Sequence, residues 1–320
     1  GLYGYEDGQR CQFIAQLFHS GGIGALLCLC TRGTLILMEA FSAELYMESL
    51  IREQVTAISV VPTVLKWILD EMDVHHYDLH TLKVIRYSTC PIPPALQQRA
   101  MEKLDCAFYQ SYGMTEMGSI VTTLQPEDHL KAGGAYLTTV GRPIPGAQVA
   151  IMDPDGRLCE AKKVGEICVK GPGCMKEYLG QPDLTQSRFT AGWYHTGDMG
   201  YLDWDGYLTI SGRADDLIIS GGENIYPGEI VNVLMQLNDD ISEAAVYGVP
   251  DEIWGEHVKA SIVLVPGSRM TTQEIWAYCK ANMPHYRVPK EIEILEELPK
   301  NPTGKVLLGE LKHRRAPKGA

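Results

Sequence analysis

The stretch Gln110-Ser111-Tyr112-Gly113-Met114-Thr115-Glu116 ("QSYGMTE") follows an apolar run that is the last in a regular series. Upstream of it, short apolar runs alternate with amphipathic helical patterns, which is typical of parallel strands with helices packed on the sheet faces. Open sheets of this kind bind ligands beyond the carboxyl ends of their strands. We therefore predict that this heptapeptide lies at a ligand-binding edge. The predicted strands are Thr34–Met38, Ala57–Val61, Leu82–Tyr87 and Ala107–Tyr109, and the predicted helices are Ser42–Gln54, Thr63–Met72 and Pro93–Leu104.

The pattern changes after Gly133-Gly134, where strand-like runs are divided by the turn sequences "DPDG", "GPG" and "DWDG". This predicts a small antiparallel β region, and the mixed pattern from Arg213 onward predicts a compact α+β domain. The expected domains are a partial α/β subdomain over 1–134, a β-barrel subdomain over 135–212 and a C-terminal domain over 213–320. The predicted strands here are Gln148–Met152, Glu166–Lys170, Tyr207–Ser211, Ala244–Tyr247, Val258–Val265 and Glu291–Leu295, with helices at Pro227–Leu237 and Thr272–Met283.

Composition excludes several classes of protein. With 28 Lys+Arg against 40 Asp+Glu, the 320-residue chain has a net charge of -12, which opposes binding to nucleic acid. Its nine cysteines are scattered through apolar stretches and do not resemble a disulfide framework, so we expect a reducing, cytoplasmic location. No apolar run has the length of a membrane span. We interpret His75, His76 and His80 as part of a polar loop, because no partners follow at metal-ligand spacing.

The side chains of the heptapeptide suit a nucleotide. Tyr112 offers a ring face that can stack on a flat base, and Gly113 permits close approach of a ligand. Thr115 beside Glu116 suits a phosphate with its magnesium ion. Taken alone, the stretch is better explained as an ordinary turn at a strand end.

Three other segments are rich in glycine and polar side chains. In "GWYHTGD", Asp198 can accept two hydrogen bonds from a ribose diol, although structural turns of this kind are common. Arg213 can meet a phosphate or ribose oxygen near glycines that indicate a domain junction. Lys305 ends "PKNPTGK", which is not a phosphate-binding loop, because Pro299 replaces the required glycine and Val306 the required hydroxyl. Without the other motifs, Lys305 is simply a solvated surface lysine.

Taken together, these segments resemble the adenylate-forming superfamily, which contains acyl-CoA synthetases, aryl-CoA ligases, luciferases and peptide-synthetase adenylation domains. Six motifs occur in the family's order over nearly the whole chain. They are "LFHSGG" at 17–22, "YGMTE", "GEICVKG", "WYHTGD", "GRADDLIISGGENIYPGEI" and "PKNPTGKVLL".

The resemblance implies an ATP-dependent ligase with Mg²⁺ as cofactor and CoA as co-substrate. A fatty or aryl carboxylate would attack the α-phosphorus of ATP, and a thiol would then displace AMP from the acyl-adenylate. The implied roles are Tyr112 stacking on adenine with Gln110 at its amino edge, Gly113 beside them, Thr115 on the phosphates, Glu116 on Mg²⁺, and Asp198 and Arg213 on the ribose and its phosphate.

The resemblance also implies a moving C-terminal domain. Lys305 would bridge the carboxylate and the α-phosphate in one pose, and rotation about Asp215 would withdraw it. In the second pose, Gly221 and Gly222 of "SGGEN" would reach the mouth of a pantetheine tunnel. His19 stands where amino-acid-activating relatives have an aspartate, which disfavours an α-amino acid and places this histidine beside the acyl pocket and the thiol route. "RYSTCPIPP" at 86–94 and 117–120 resemble the rest of that pocket's wall.

The family's phosphate loop, T-S-G-T-T-G-x-P-K, does not occur upstream of "LFHSGG". We therefore expect the chain to be the C-terminal part of a longer ligase, to bind nucleotide weakly, and to turn over poorly or not at all by itself. Two alternatives remain open at this point. One is a catalytically silent AMP-binding module that engages a partner, and the other is a ligase that loads a carrier-protein thiol instead of free CoA.

Overall fold

A computed structural model describes residues 2–14, 17–18, 20–38, 42–88, 92, 94–237, 240–301 and 306–313. The chain divides into two compact units. The first comprises Gly1–Thr196 and Tyr201–Thr209, and the second comprises Gly197–Gly200 and Ile210–Ala320. The three-domain division expected from the sequence stays a prediction.

The first unit contains a seven-stranded sheet with the strand order β2-β1-β3-β4-β5-β6-β7. The strands are β1 Arg10–Phe13, β2 Thr34–Leu37, β3 Ala57–Val60, β4 Val84–Ser88, β5 Ala107–Tyr112, β6 Thr122–Leu124 and β7 Arg142–Pro143. Neighbours among β1 to β5 are parallel, whereas β6 and β7 are antiparallel. The predicted parallel sheet is therefore confirmed, and β1 is a strand that the sequence pattern did not indicate.

The helices of this unit begin where local chemistry favours them. The Ser42 side chain accepts a hydrogen bond from the Leu45 N–H group at 3.2 Å and caps α2, and Pro62 occupies the first turn of α3. The α2 and α3 faces that point inward carry a buried cluster including Tyr46, Leu50 and Leu65. The helices are α1 Ser20–Cys30, α2 Ala43–Arg52, α3 Pro62–Val74, α4 Pro94–Lys103 and α5 Pro126–Leu130.

A second, antiparallel sheet has the order β10-β11-β9-β8, with β12 paired to β11. Its strands are β8 Gln148–Met152, β9 Gly165–Lys170, β10 Phe189–Thr190, β11 Trp193–Leu202 and β12 Leu208–Arg213, and the short helix α6 is Pro182–Ser187. The change to antiparallel structure is confirmed, while closure into a barrel stays a prediction. The sequence pattern did not indicate α6.

The second unit is built on a sheet with the order β14-β13-β16-β15, with β17 added parallel to β16. The strands are β13 Ile218–Ser220, β14 Glu223–Ile225, β15 Ile241–Asp251, β16 Gly255–Leu264 and β17 Glu291–Leu295, and the helices are α7 Pro227–Leu234, α8 Thr272–Asn282 and α9 Leu308–His313. A capping box formed by Thr271 and Glu274 starts α8. Ile230, Ile262 and Ile275 join helices and sheet in one buried core.

Within the described part of the chain, no helix combines the length and the apolar character needed to cross a membrane.

Candidate active-site residues

The predicted nucleotide turn follows β5 directly and is held by close backbone contacts. A Cβ atom at Gly113 would lie 1.8 Å from the Ser119 carbonyl oxygen, so only glycine fits there. Thr115–Met117 forms a single 3-10 turn, and Gly118 ends it in the left-handed conformation with φ 69°. Gly113 is thus required by the turn itself, whatever ligand approaches it. The turn leaves Thr115 exposed and Glu116 half-buried.

Glu116 is oriented by two tyrosines. Tyr178 donates its hydroxyl to Glu116 Oε1 at 2.8 Å, and the hydroxyl oxygens of Tyr178 and Tyr194 lie 3.0 Å apart. Burial raises the pKa of both phenols, so each keeps its proton near neutral pH. The Glu116 carbonyl also accepts from the Met175 N–H group at 2.7 Å. The carboxylate therefore points in a defined direction at the carboxyl end of β5.

Sequence reasoning missed both tyrosines. Tyr194 lies in the motif that was quoted for Asp198, and period-two alternation along β11 separates it from its neighbours Trp193 and His195. That alternation was a usable signal. Tyr178 lies in "GPGCMKEYLG", and its 62-residue separation from Glu116 carries no local pattern.

Gln110 has a buried acceptor that is consistent with its expected role. The residue is 4% exposed, and its Oε1 atom has no hydrogen-bond partner among the described residues. A buried polar atom without a partner is costly, which favours a ligand donor such as an exocyclic amino group. Tyr112, the last residue of β5, is half-buried and pairs with Thr122 of β6.

Asp198 and Arg213 form an ion pair in the second unit. Arg213 Nη1 lies 2.9 Å from Asp198 Oδ1, and the Asp198 side chain is only 16% exposed. Burial opposes the charge on Arg213, but the Asp198 carboxylate outweighs this effect and raises the pKa of the guanidinium. Asp215, the predicted hinge residue, lies 3.9 Å from Arg213 and is exposed. Two residues expected to contact one ribose are therefore neighbours.

Gly221 and Gly222 form the tight turn of the β13–β14 hairpin, between the paired residues Ser220 and Glu223. Their φ angles are 60° and 87°, and two consecutive positive values are typical of a type I′ turn. A Cβ atom at Gly221 would also lie 2.5 Å from the Trp254 ring. Both glycines thus have a structural reason, and their proximity to a thiol route stays a prediction.

Lys305 and His19 lie outside the described residues, as do Thr89, Cys90, Pro91 and Pro93 of the expected acyl pocket. The base of the Lys305 segment is described, because Lys300 and Val306 form an antiparallel bridge. Lys300 Nζ lies 2.6 Å from Glu243 Oε2, on β15. The described residues on either side of 302–305 are therefore paired with each other, and Lys300 is anchored to β15.

The other described residues of the expected acyl-pocket wall differ in burial. Arg86 and Tyr87 are buried at 0% and 1% exposure, and Ser88 is half-buried. Met117 is also buried, whereas Ser119 is half-buried. Arg86 and Tyr87 therefore serve the core of the first unit through their side chains.

Residues 3–179 match the sequence profile described as "AMP-binding enzyme", and residues 229–305 match "AMP-binding enzyme C-terminal domain". The chain belongs to the AMP-binding enzyme family. This confirms the adenylate-forming resemblance, and the mixed α/β fold with its parallel and antiparallel sheets agrees with it.

Several relatives of this AMP-binding chain are named ligases. Fatty acid–[acyl-carrier-protein] ligase ScoC of Streptomyces coeruleorubidus is 38% identical over 93% of this chain and 57% of its own length. The 2-succinylbenzoate–CoA ligase of Bacillus subtilis is 36% identical over 98% of this chain and 62% of its own length. The chain thus spans less than two thirds of the length of these relatives.

Solved structures agree with the fold. The amide bond synthetase McbA of Marinactinospora thermotolerans superposes with a TM-score of 0.90 at 31% identity, over 97% of this chain and 63% of that one. The o-succinylbenzoate CoA synthetase MenE of Bacillus subtilis, in complex with its acyl-adenylate intermediate, gives a TM-score of 0.85 at 36% identity, over 98% and 63%.

Proposed function

We propose that the chain serves an AMP-forming ligase that joins a fatty or aryl carboxylic acid to the thiol of CoA. In the first step, a carboxylate oxygen bonds to the α-phosphorus of ATP and pyrophosphate leaves. In the second step, the thiolate sulfur bonds to the acyl carbon, the acyl–oxygen bond breaks, and AMP leaves. The thiol proton is lost to solvent or a base.

The observation that carries this proposal is the oriented carboxylate of Glu116. It lies just beyond a parallel strand, where α/β sheets bind nucleotides, and Tyr178 fixes its direction at 2.8 Å. Carboxylate oxygen is the ligand type that Mg²⁺ prefers, so Glu116 fits the metal role. When bound there, Mg²⁺ would neutralise phosphate charge.

Other residues supply the nucleotide contacts in this proposal. Gln110 Oε1, buried and without a described partner, accepts from the adenine amino group. Tyr112 stacks on the base, and Thr115 donates to a phosphate oxygen. Asp198 accepts from the ribose hydroxyls, and the adjacent Arg213 lies 2.9 Å from its carboxylate. These assignments are made residue by residue on the family's motifs.

Lys305 is assigned to the chemistry of the first step. Two anions approach each other there, and a preorganised cation stabilises the charge that develops in the transition state. Removing such a donor typically costs about 2.7–4 kcal/mol of barrier. His19 is assigned to the acyl pocket and thiol route, and Gly221 and Gly222 to the second pose.

The test combines binding with turnover. In the full-length ligase, Lys305→Ala should lower pyrophosphate formation by about 100–1000-fold, while calorimetry shows unchanged affinity for AMP. The matched control is Lys312→Ala, which removes an exposed lysine of α9 and should alter neither quantity. If the protein is instead a silent AMP-binding module, no acid should give pyrophosphate, and Lys305→Ala and Lys312→Ala should bind the partner equally well. That result would overturn the enzymatic proposal.

The panel of acids follows from the relatives. Enzymes named feruloyl-CoA synthase and 2-succinylbenzoate–CoA ligase are 37% and 36% identical to this chain, so aryl acids are assayed beside fatty acids. Robust turnover by the 320-residue chain alone would contradict our expectation of weak activity in isolation.

A second candidate function is loading of a carrier-protein thiol. The relative at 38% identity is named a fatty acid–[acyl-carrier-protein] ligase, so the same adenylate can have a different acceptor. The assay offers free CoA and a phosphopantetheinylated carrier protein in parallel. Thioester formation only on the carrier protein would replace CoA by that acceptor and leave the first step unchanged.

A further inference from the structure

Three side chains that can bind metal converge on one face of the antiparallel sheet, and none of them has a role in the assignments above. Glu166 and Cys168 are two residues apart on β9, so their side chains point to the same face of the sheet. His195 lies on the adjacent strand β11. One ligand atom from each residue lies within 4.8 Å of the others. All three belong to the first unit.

One ring nitrogen faces both other donors. His195 Nδ1 lies 3.5 Å from Cys168 Sγ and 2.8 Å from Glu166 Oε2. Tetrahedral Zn²⁺ with its usual bond lengths separates a nitrogen from a sulfur ligand by about 3.5 Å, and a nitrogen from an oxygen ligand by about 3.3 Å. The first distance already matches. The second requires a small outward movement of a carboxylate that is 30% exposed.

The backbone that carries these donors is fixed by hydrogen bonds. Thr196 Oγ1 donates to the Ile167 carbonyl at 2.7 Å, which ties β11 to β9 beside the cluster. The backbone N–H group of His195 donates to the backbone carbonyl of Arg188 at 2.8 Å. A site whose scaffold is already ordered loses little conformational freedom when an ion binds.

The cluster has a buried, apolar end and a partly exposed end. Cys168 has no exposed surface and packs in a small cluster with Ala150 and Met152, with Trp193 against it. The Glu166 side chain is 30% exposed. An ion would thus have a soft, buried ligand in Cys168 and a partly exposed carboxylate ligand in Glu166.

We propose that Cys168, His195 and Glu166 form a Zn²⁺ site. Binding exchanges the thiol proton of Cys168 for the ion and moves the neutral imidazole proton to Nε2. Zn²⁺ with one thiolate and one carboxylate is neutral overall, which limits the desolvation cost of a half-buried ion. The site requires no nucleotide and is independent of the proposed ligase function.

The competing interpretation is a Glu166–His195 ion pair above a buried thiol that binds nothing. Titration of the purified, metal-free chain with Co²⁺ separates the two. A Zn²⁺ site should give one equivalent of tetrahedral Co²⁺ with a thiolate-to-metal charge-transfer band, which Zn²⁺ then displaces. The ion-pair interpretation predicts no such band.

Substitutions of the three residues test whether the thiolate-to-Co²⁺ band arises from this cluster. Cys168→Ser should abolish it, and His195→Gln and Glu166→Gln should each weaken Zn²⁺ binding by at least about 10-fold. Cys159→Ser is the matched control, because this half-buried cysteine lies in the same unit but outside the cluster, and it should keep the band. Circular dichroism checks that each variant is folded. No thiolate band, or a band that folded His195→Gln and Cys168→Ser retain, overturns the proposal.

Discussion

Among the described residues, Arg86 is one of the largest side chains that are fully buried, and carbonyl and amide oxygens accept hydrogen bonds from two of its three nitrogens. Its guanidinium donates to the Tyr3 and Gly4 carbonyls at 2.9 and 2.6 Å and to Gln9 Oε1 at 2.7 Å. It also lies 3.7 Å above the Tyr5 ring. A side chain on β4 thus holds the first turn of the chain against the sheet.

Arg86→Met should destabilise the first unit by about 3 kcal/mol, because buried acceptors would lose a charged donor. Chemical denaturation measures the loss. The control, Arg157→Met, removes an exposed arginine that pairs only with Asp155 among the described residues, and it should change stability by less than about 0.5 kcal/mol. A loss of stability in Arg86→Met that is as small as the loss in the control would show that the buried hydrogen bonds contribute little.

Tyr178→Phe tests whether the hydrogen bond from Tyr178 is what orients the Glu116 carboxylate. The substitution removes one hydroxyl and leaves the ring, so Glu116 loses a donor to a charged group, which is worth about 1.5 kcal/mol. If the proposed function holds, affinity for an acyl-adenylate analogue with Mg²⁺ should fall by about 10-fold.

The control for Tyr178→Phe is Tyr136→Phe, which removes a tyrosine–carboxylate hydrogen bond to Asp205 on an exposed surface. Calorimetry on both variants should show the loss only in Tyr178→Phe. Unchanged Mg²⁺ dependence in that variant would argue against Glu116 as the metal ligand.

At the scale of elements, the turn after β5 depends on one glycine. Gly113→Ala would force a methyl group against the Ser119 carbonyl, which lies 1.8 Å from the ideal Cβ position. We expect a loss of stability of about 1–3 kcal/mol from displaced backbone, together with weaker AMP binding.

The matched substitution for this element is Gly309→Ala in α9, where nothing lies within 4 Å of the added atom. It should be neutral or stabilising by up to about 1 kcal/mol, since alanine favours a helix. Thermal melts of both variants provide the comparison. A stable Gly113→Ala variant with intact AMP binding would mean that the turn is not essential.

Apolar periodicity was sufficient to predict most elements, including β8 and β17 with their observed ends. It failed where polar residues are buried. The predicted strand ended at Tyr109, but β5 continues to Tyr112 because Gln110 and Ser111 pair with β6. Helix α1 was also missed, since "SGGIGALLCLC" combines three glycines with apolar residues on every side and shows no helical period.

Site prediction had a similar limit. Glu116, Asp198 and Arg213 lie in motifs whose residue types suit nucleotide chemistry, so the sequence was enough to predict them as candidates. Tyr178 was missed because its contact with Glu116 depends on tertiary structure. Local sequence can therefore suggest a residue that faces the ligand, but it does not indicate a distant residue that orients it.

At the scale of the whole molecule, each compact unit has its own core, so each can respond separately to pH. In the second unit, the backbone N–H groups of Trp254 and Ile253, with Lys290, lower the pKa of Asp251 to about 2. A carboxylate with a depressed pKa stabilises the fold above its unfolded pKa of about 3.9. That contribution is lost as pH falls through about 2.

Asp251→Asn should lower the melting temperature near neutral pH, because the amide keeps an acceptor oxygen but loses the charge that faces His257 and Lys290. The wild-type and variant curves should converge as the pH falls toward about 2. Calorimetry over this range tests the sign. Asp105→Asn changes an exposed carboxylate and is the control. Curves that stay parallel would contradict the assignment.

The second unit has an uneven distribution of backbone protection. Strand β16 pairs with β15 along nearly its whole length, and its residues Lys259 to Val263 also pair with β17 on the other edge. Successive amide protons in this part of the strand point alternately toward β15 and β17, so exposing all of them requires both ladders to separate. Hydrogen exchange in β16 should therefore follow cooperative opening of the unit, whereas the short hairpin at Gly221 and Gly222 exchanges through local fraying.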